Sequence, residues 1–139
     1  MSVTAVDANV LIDVLVRDEA FWKASYEALE LASARGSVIV APIVVAEVAG
    51  AATRSLDARS SFDVGDDMIV EMDAAQLVQA GLAWRQRGVP RSRRSLPDYL
   101  IAVHAARNAD RLLTRDKDFT KLGVAGLEVV TPAEFLAAG

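Results

Sequence analysis

The chain has 139 residues, a hydrophobic fraction of 53% and a formal net charge of −4 at pH 7. That length suits one domain, residues 1–139, able to bury roughly two-thirds of its unfolded surface, and the apolar content excludes a disordered chain. With no cysteine there is no disulfide scaffold and no thiolate metal site, which suits a reducing, cytoplasmic setting.

The opening MSVTAVDANVLIDVLV is apolar but interrupted by Asp7 and Asp13 and carries no basic leader, which argues against a signal peptide or a membrane span. Val3 to Asp7 reads as a short buried strand, followed by a helix from Asn9 to Val16. Ala20 to Arg35 has helical periodicity, with Phe21, Ala24, Ala28, Leu31 and Ala32 on one side and Gly36 as terminator. Ser37 to Ala41 is a second buried strand, and Pro42 suits the first turn of a helix running to Thr53. From Ser55 to Asp67 the pattern reads as a short helix and a turn around Gly65. Met68 to Met72 has the look of a third strand, and Asp73 to Arg87 of a helix ended by Gly88. An arginine-rich loop follows, then a helix over Pro97 to Arg107 and a strand over Arg111 to Thr114. Asp116 to Leu122 is a turn or short helix, and Leu127 to Val130 a last strand. Thr131-Pro132-Ala133-Glu134 has capping-box spacing, so Thr131 and Glu134 are assigned to structure.

Short apolar strands alternating with helices predict an α/β fold, a mostly parallel sheet between two helical layers. Ligands in such sheets bind beyond the carboxyl ends of the strands, where strand order reverses. Asp7, Glu47, Asp98 and Asp116 can all reach that edge. Gathered together, four carboxylates repel one another unless a cation lies between them. Their oxygen-only donors suit hard divalent ions, Mg²⁺ or Mn²⁺, and phosphodiester chemistry follows from that.

Each acid also has a structural explanation. Asp7 could cap the helix that follows, although Asn9 could do so equally well. Asp98 sits at a helix start, where the macrodipole favours an acid. Asp116 or Asp118 could cap the short helix toward Leu122, which accounts for one but not readily for both. Thr114 could orient a carboxylate, or simply end a strand. Glu47 resists such treatment: it is the one ionisable residue in APIVVAEVAGAA, and a solvated helix face would carry more polar company.

Between Asp73 and Asp98 no acid occurs, while Arg85, Arg87, Arg91, Arg93 and Arg94 do. This cluster is either a solvated loop or a phosphate-steering patch. Trp84 is read as core, with base stacking as the alternative. His104, the one histidine, lies off the helical face of Asp98 and is read as packing or surface. With no second histidine and no cysteine, zinc is disfavoured. No GxSxG, Walker or GxGxxG pattern occurs, so a serine hydrolase and a nucleotide cofactor are not indicated.

Taken together, VDANVLIDVL, the isolated Glu47, PDYLIAVHA and LLTRDKDF resemble the PIN-domain family, and more narrowly the VapC-type toxins of bacterial toxin–antitoxin pairs. The resemblance covers nearly the whole chain. It implies that Asp7, Glu47, Asp98 and Asp116 form the catalytic, metal-binding set, with Asp118 as an auxiliary ligand and Asn9 and Thr114 as polar supports. It also implies a five-stranded parallel sheet, Mg²⁺ or Mn²⁺, an RNA substrate, a homodimer and a cognate VapB-like antitoxin. The arginines from Arg85 to Arg94 would then hold the RNA backbone. Two other readings stand beside this one. A haloacid-dehalogenase-type phosphatase would use Asp7 but expects an acid where Asn9 stands. A non-catalytic binding module would use the acids as caps and surface charges.

Overall fold

The computed structural model describes residues 1–52, 65–87 and 95–139. Strand β1 (Ser2–Val6) leads into helix α1 (Ala8–Leu15), and α2 (Trp22–Arg35) returns to β2 (Gly36–Ile39). Helix α3 (Pro42–Ala52) follows, then α4 (Ala74–Arg85), α5 (Leu96–Asn108), β3 (Arg111–Leu113), β4 (Val129–Val130) and α6 (Pro132–Ala138). The Arg91, Arg93 and Arg94 loop and the Ser55 to Val64 part of the middle segment lie outside the described residues.

All pairings are parallel and the strand order is β2-β1-β3-β4. The two central strands are the most apolar, with Ala5, Val6, Leu112 and Leu113 all buried, as expected where helices flank a parallel sheet. Helix α1 adds Val10, Leu11 and Val14 to this core, and α5 adds Ile101, Ala102, Val103 and Ala105.

The third strand expected over Met68–Met72 shrinks to a single parallel bridge, Val40 to Ile69, leaving a four-stranded sheet in place of five strands among the described residues. Two causes act at once. Asp66–Met68 coils into a 3-10 turn, and the partner chain leaves the sheet at Pro42 to begin α3. Backbone bonds from Val40 N to Met68 O and from Val70 N to Val40 O are what the segment retains.

Helix α2 is also rotated from the expected face. Ser25, Ala28, Leu29 and Ala32 are buried, whereas Phe21 is 43% exposed. The reason is polar: Ser25 turns inward to donate its hydroxyl proton to Asp13 Oδ2 at 2.9 Å. The Thr131–Glu134 capping box forms as expected, with each side chain accepting from the other residue's backbone N–H. Among the described residues no helix is long and apolar enough to cross a membrane.

Candidate metal centre

Strand order reverses between β1 and β3, since β1 is flanked by β2 on one side and by β3 on the other. Asp7 directly follows the first of these strands and Thr114 the second, so both stand at the carboxyl edge beside the switch point. The backbone ties them as well, with Asp7 N donating to Leu113 O at 3.0 Å.

Asp7 is buried and caps α1: its Oδ1 accepts from Ala8 N at 2.7 Å, and its Oδ2 accepts from the Thr114 hydroxyl at 2.7 Å. The cap is therefore Asp7 and not Asn9. Asn9 instead reaches across to β3's end, donating Nδ2 to Thr114 Oγ1 and accepting from Arg115 N, each at 3.3 Å. Capping does not exhaust the Asp7 carboxylate. Burial raises its pKa above the ordinary aspartate value, the bonds from Thr114 and Ala8 pull it back, and the neighbouring charges of Asp98 and Asp116 raise it further.

Glu47 lies on α3 with its pKa likewise raised, first by partial burial and then by the charges of Asp7 and Asp98. Its setting differs from the one its neighbours in sequence suggested. The buried stripe of α3 runs through Val44 and Val48, while Ala46, Glu47, Ala49 and Gly50 face outward. Small apolar residues here mark an open helix face and not a shielded one. Asp98, half-buried in the first turn of α5, has the Ser95 hydroxyl 3.5 Å away. Asp116, also half-buried, caps the 3-10 turn Lys117–Leu122 by accepting from Asp118 N at 3.0 Å.

The fold thus brings Asp98 and Asp116 within electrostatic reach of Asp7, and Asp7 and Asp98 within reach of Glu47. Asp118 faces a different neighbour, as its exposed carboxylate pairs with Lys121 at 3.2 Å. Among the described residues no three His, Cys, Asp or Glu side chains stand close enough to cage an ion as they are. The acids line an open rim. Its chemistry nevertheless fits a hard dication: every donor is oxygen, and Asp7 and Glu47 are held at a cost that a positive charge would relieve.

Residues 4–125 match the PIN domain family. The chain belongs to that family. Two solved structures share the PIN fold seen here. VapBC2 from Rickettsia felis, bound to a DNA fragment from their promoter, is 20% identical with a TM-score of 0.73, over 93% of this chain and 98% of that one. FitAB bound to an IR36 DNA fragment is 16% identical with a TM-score of 0.65, over 93% of this chain and 94% of that one. No curated protein matches the chain significantly.

Other side chains of this PIN domain settle into structural places. His104 is buried, with Nε2 2.8 Å from Val70 O, and burial lowers its pKa. It packs, and lies away from the surface. Trp84 is packed against the core, and Arg87 stacks on its ring at 4.5 Å while donating to Trp84 O at 2.6 Å. Arg85 is exposed at the end of α4. One pair escaped the sequence reading. Asp13, buried on α1, accepts both Nε and Nη2 of Arg115, at 2.6 and 3.0 Å. The signal was present, since Asp13 is the one charge within ANVLIDVL, as isolated as Glu47 is in its own segment.

Proposed function

We propose that this single-domain chain is a Mg²⁺- or Mn²⁺-dependent endoribonuclease and the toxin of a VapBC-type toxin–antitoxin pair. PIN domains are in general nucleases, so phosphodiester hydrolysis is the first expectation from family membership. The observation that carries the reading is the convergence at the switch point: Asp7 feels Asp98 and Asp116, and Glu47 feels Asp7 and Asp98. Residues distant in sequence carry like charges near enough to feel one another, a repulsion that a bound cation would relieve.

In this reading Asp7, Glu47, Asp98 and Asp116 hold the ion, with Asp118 as an outer acid. When bound, such an ion supplies a water of lowered pKa and neutralises charge on the phosphate. Thr114 fixes the Asp7 carboxylate by its hydroxyl, and Asn9 fixes Thr114. Arg85, Arg87, Arg91, Arg93 and Arg94 meet the RNA backbone. Arg87 brings its guanidinium already stacked on Trp84, so its role is to present an edge to phosphate and not to travel to it. A VapB-like antitoxin and a second copy of the chain are the partners. VapBC2 and FitAB, which share this fold, support the antitoxin by the complexes in which they were solved.

The lack of a ready-made ligand cage among the described residues favours one competitor, a PIN-fold module that binds without catalysis. Cleavage of a defined RNA in Mn²⁺, with Asp7→Asn beside the parent, separates them. The nuclease reading expects Asp7→Asn to lose about 100-fold or more in rate while keeping its circular dichroism, and excess EDTA to do the same to the parent. RNA cleavage that persists in EDTA, or an Asp7→Asn variant as active as the parent, ends it.

A further inference from the structure

Two consecutive residues after β3, Thr114 and Arg115, are tied to helix α1 and its cap. Thr114 donates its hydroxyl to Asp7 Oδ2, Arg115 donates its backbone N–H to Asn9 Oδ1, and the Arg115 guanidinium grips Asp13. Asp116 closes the set by donating its own N–H to Thr114 Oγ1 at 3.0 Å. Asn9 and Asp13 are one helical turn apart and lie on the same side of α1, so together they make two rungs between that helix and the loop. The lower rung is the stronger: Asp13 is 3% exposed, also accepts from Ser25 Oγ, and its partner arginine lies under the Phe21 ring at 4.1 Å.

An ion pair with one buried member is a weak means of stabilising a fold, because desolvation of that member offsets much of the attraction. As a device for geometry it is effective, since the planar fork of arginine sets both distance and angle against a carboxylate. Here the fork belongs to the residue between Thr114 and Asp116, and the carboxylate to the helix that Asp7 caps. We infer that Asp13 and Arg115 are a positioning pair that sets the spacing between the Asp7 and Asp116 carboxylates for metal binding. This rests on the rim being a metal site.

The test is Mn²⁺ titration of the full chain by calorimetry, beside thermal unfolding without metal. Asp13→Leu with Arg115→Met removes the pair without stranding a charge. It should fold, with a Tm within a few degrees of the parent, yet bind Mn²⁺ about 10- to 100-fold more weakly, as loss of residues that orient ligands does elsewhere. Arg115→Lys keeps the charge but loses the fork, and should fall between the two. Phe135→Leu is the stability control: Phe135 is a buried residue of α6 beneath Arg35 and Arg111, away from the carboxyl ends of the strands, so its Tm should drop with no change in Mn²⁺ affinity. A folded double variant with the parent's affinity overturns the positioning role, and so does an equal loss of affinity in Phe135→Leu. Should the double variant fail to fold, parental affinity in Arg115→Lys overturns it instead. If the parent itself binds no Mn²⁺, the metal reading fails and takes this role with it, an outcome distinct from tight parental binding left untouched by the substitutions.

Discussion

A threonine hydroxyl has one proton and two lone pairs, and at Thr114 all three are engaged: the proton on Asp7, the lone pairs by Asp116 N–H and Asn9 Nδ2. Thr114→Val keeps the shape and removes all three bonds, leaving a buried carboxylate oxygen and a backbone N–H unpaired. We predict a cleavage rate lowered about 10- to 100-fold, with Thr114→Ser restoring most of it, measured on a defined RNA at saturating Mn²⁺. Asp7 and Glu47 carry a second prediction. In the unfolded chain they titrate near 4, and in the fold they hold their protons to higher pH. Their contribution to stability is therefore full below about pH 4 and is lost as pH rises through the raised folded values. His104 acts in the opposite sense, since its lowered pKa makes the fold less stable as pH falls below about 6.5. Glu47→Gln should leave the His104 limb in place and raise the metal-free Tm at neutral pH relative to the parent; an unchanged or lower Tm there contradicts a strained rim. At this scale the sequence showed which side chains were out of place but not which way they faced. Asp7 looked like a cap or a ligand and is built to be a cap with a charged face to spare. Glu47 stood out for its apolar company, yet small residues around it leave that face open.

Elements were legible where period and punctuation agreed. The helix spans from Trp22 to Arg35, Ala74 to Arg85 and Leu96 to Asn108 follow the predicted ones within a few residues, because each is bounded by a cap, a glycine or a proline. The loss of the strand read over Met68 to Met72 was not legible, since its four apolar residues do not reveal that a 3-10 turn and the departing chain at Pro42 leave room for one bridge. The buried face of α2 was missed for another reason: a serine turned inward by a distant aspartate leaves no trace in hydrophobic periodicity. Gly36, by contrast, was read as a helix terminator and is more than that. It opens β2 with extended backbone, where a Cβ would lie 1.9 Å from the Ser2 carbonyl oxygen. Because the obstacle is backbone, β1 and β2 would have to part. Gly36→Ala should cost about 3 kcal/mol or more, seen as a lower urea midpoint at unchanged slope, with Gly50→Ala, which meets nothing within 4 Å, as the harmless comparison.

Over the whole molecule, an acidic rim on a chain of net charge −4 is a poor receiver of RNA until its local field is inverted. A metal ion can do so at the rim itself, but the backbone on either side of the scissile phosphate needs cations of its own. Under the proposed function these would come from one acid-free stretch, Ala74 to Pro97, which holds five of the chain's arginines. A net charge of −4 does not suggest a nucleic-acid binder, but a field is set by where charges lie and not by their sum, so the clustered arginines leave a phosphate-steering patch open. The two parts of the arginine stretch then differ. Arg87 is partly committed to Trp84, and the proposed function gives Arg91, Arg93 and Arg94 a share in steering that can be tested apart from it. Replacing those three with glutamine should leave Tm and the Mn²⁺ requirement alone and act on RNA capture. Released counterions make binding to a single strand fall with salt at about 0.7 log units per phosphate contact, so losing three contacts should flatten the log–log slope by about 2. KM should rise several-fold at low salt and converge on the parental value at high salt, with kcat little changed. A salt slope identical to the parent's would move these arginines off the substrate path, and the field at the rim would then have to come from the metal and from Arg85 and Arg87 alone.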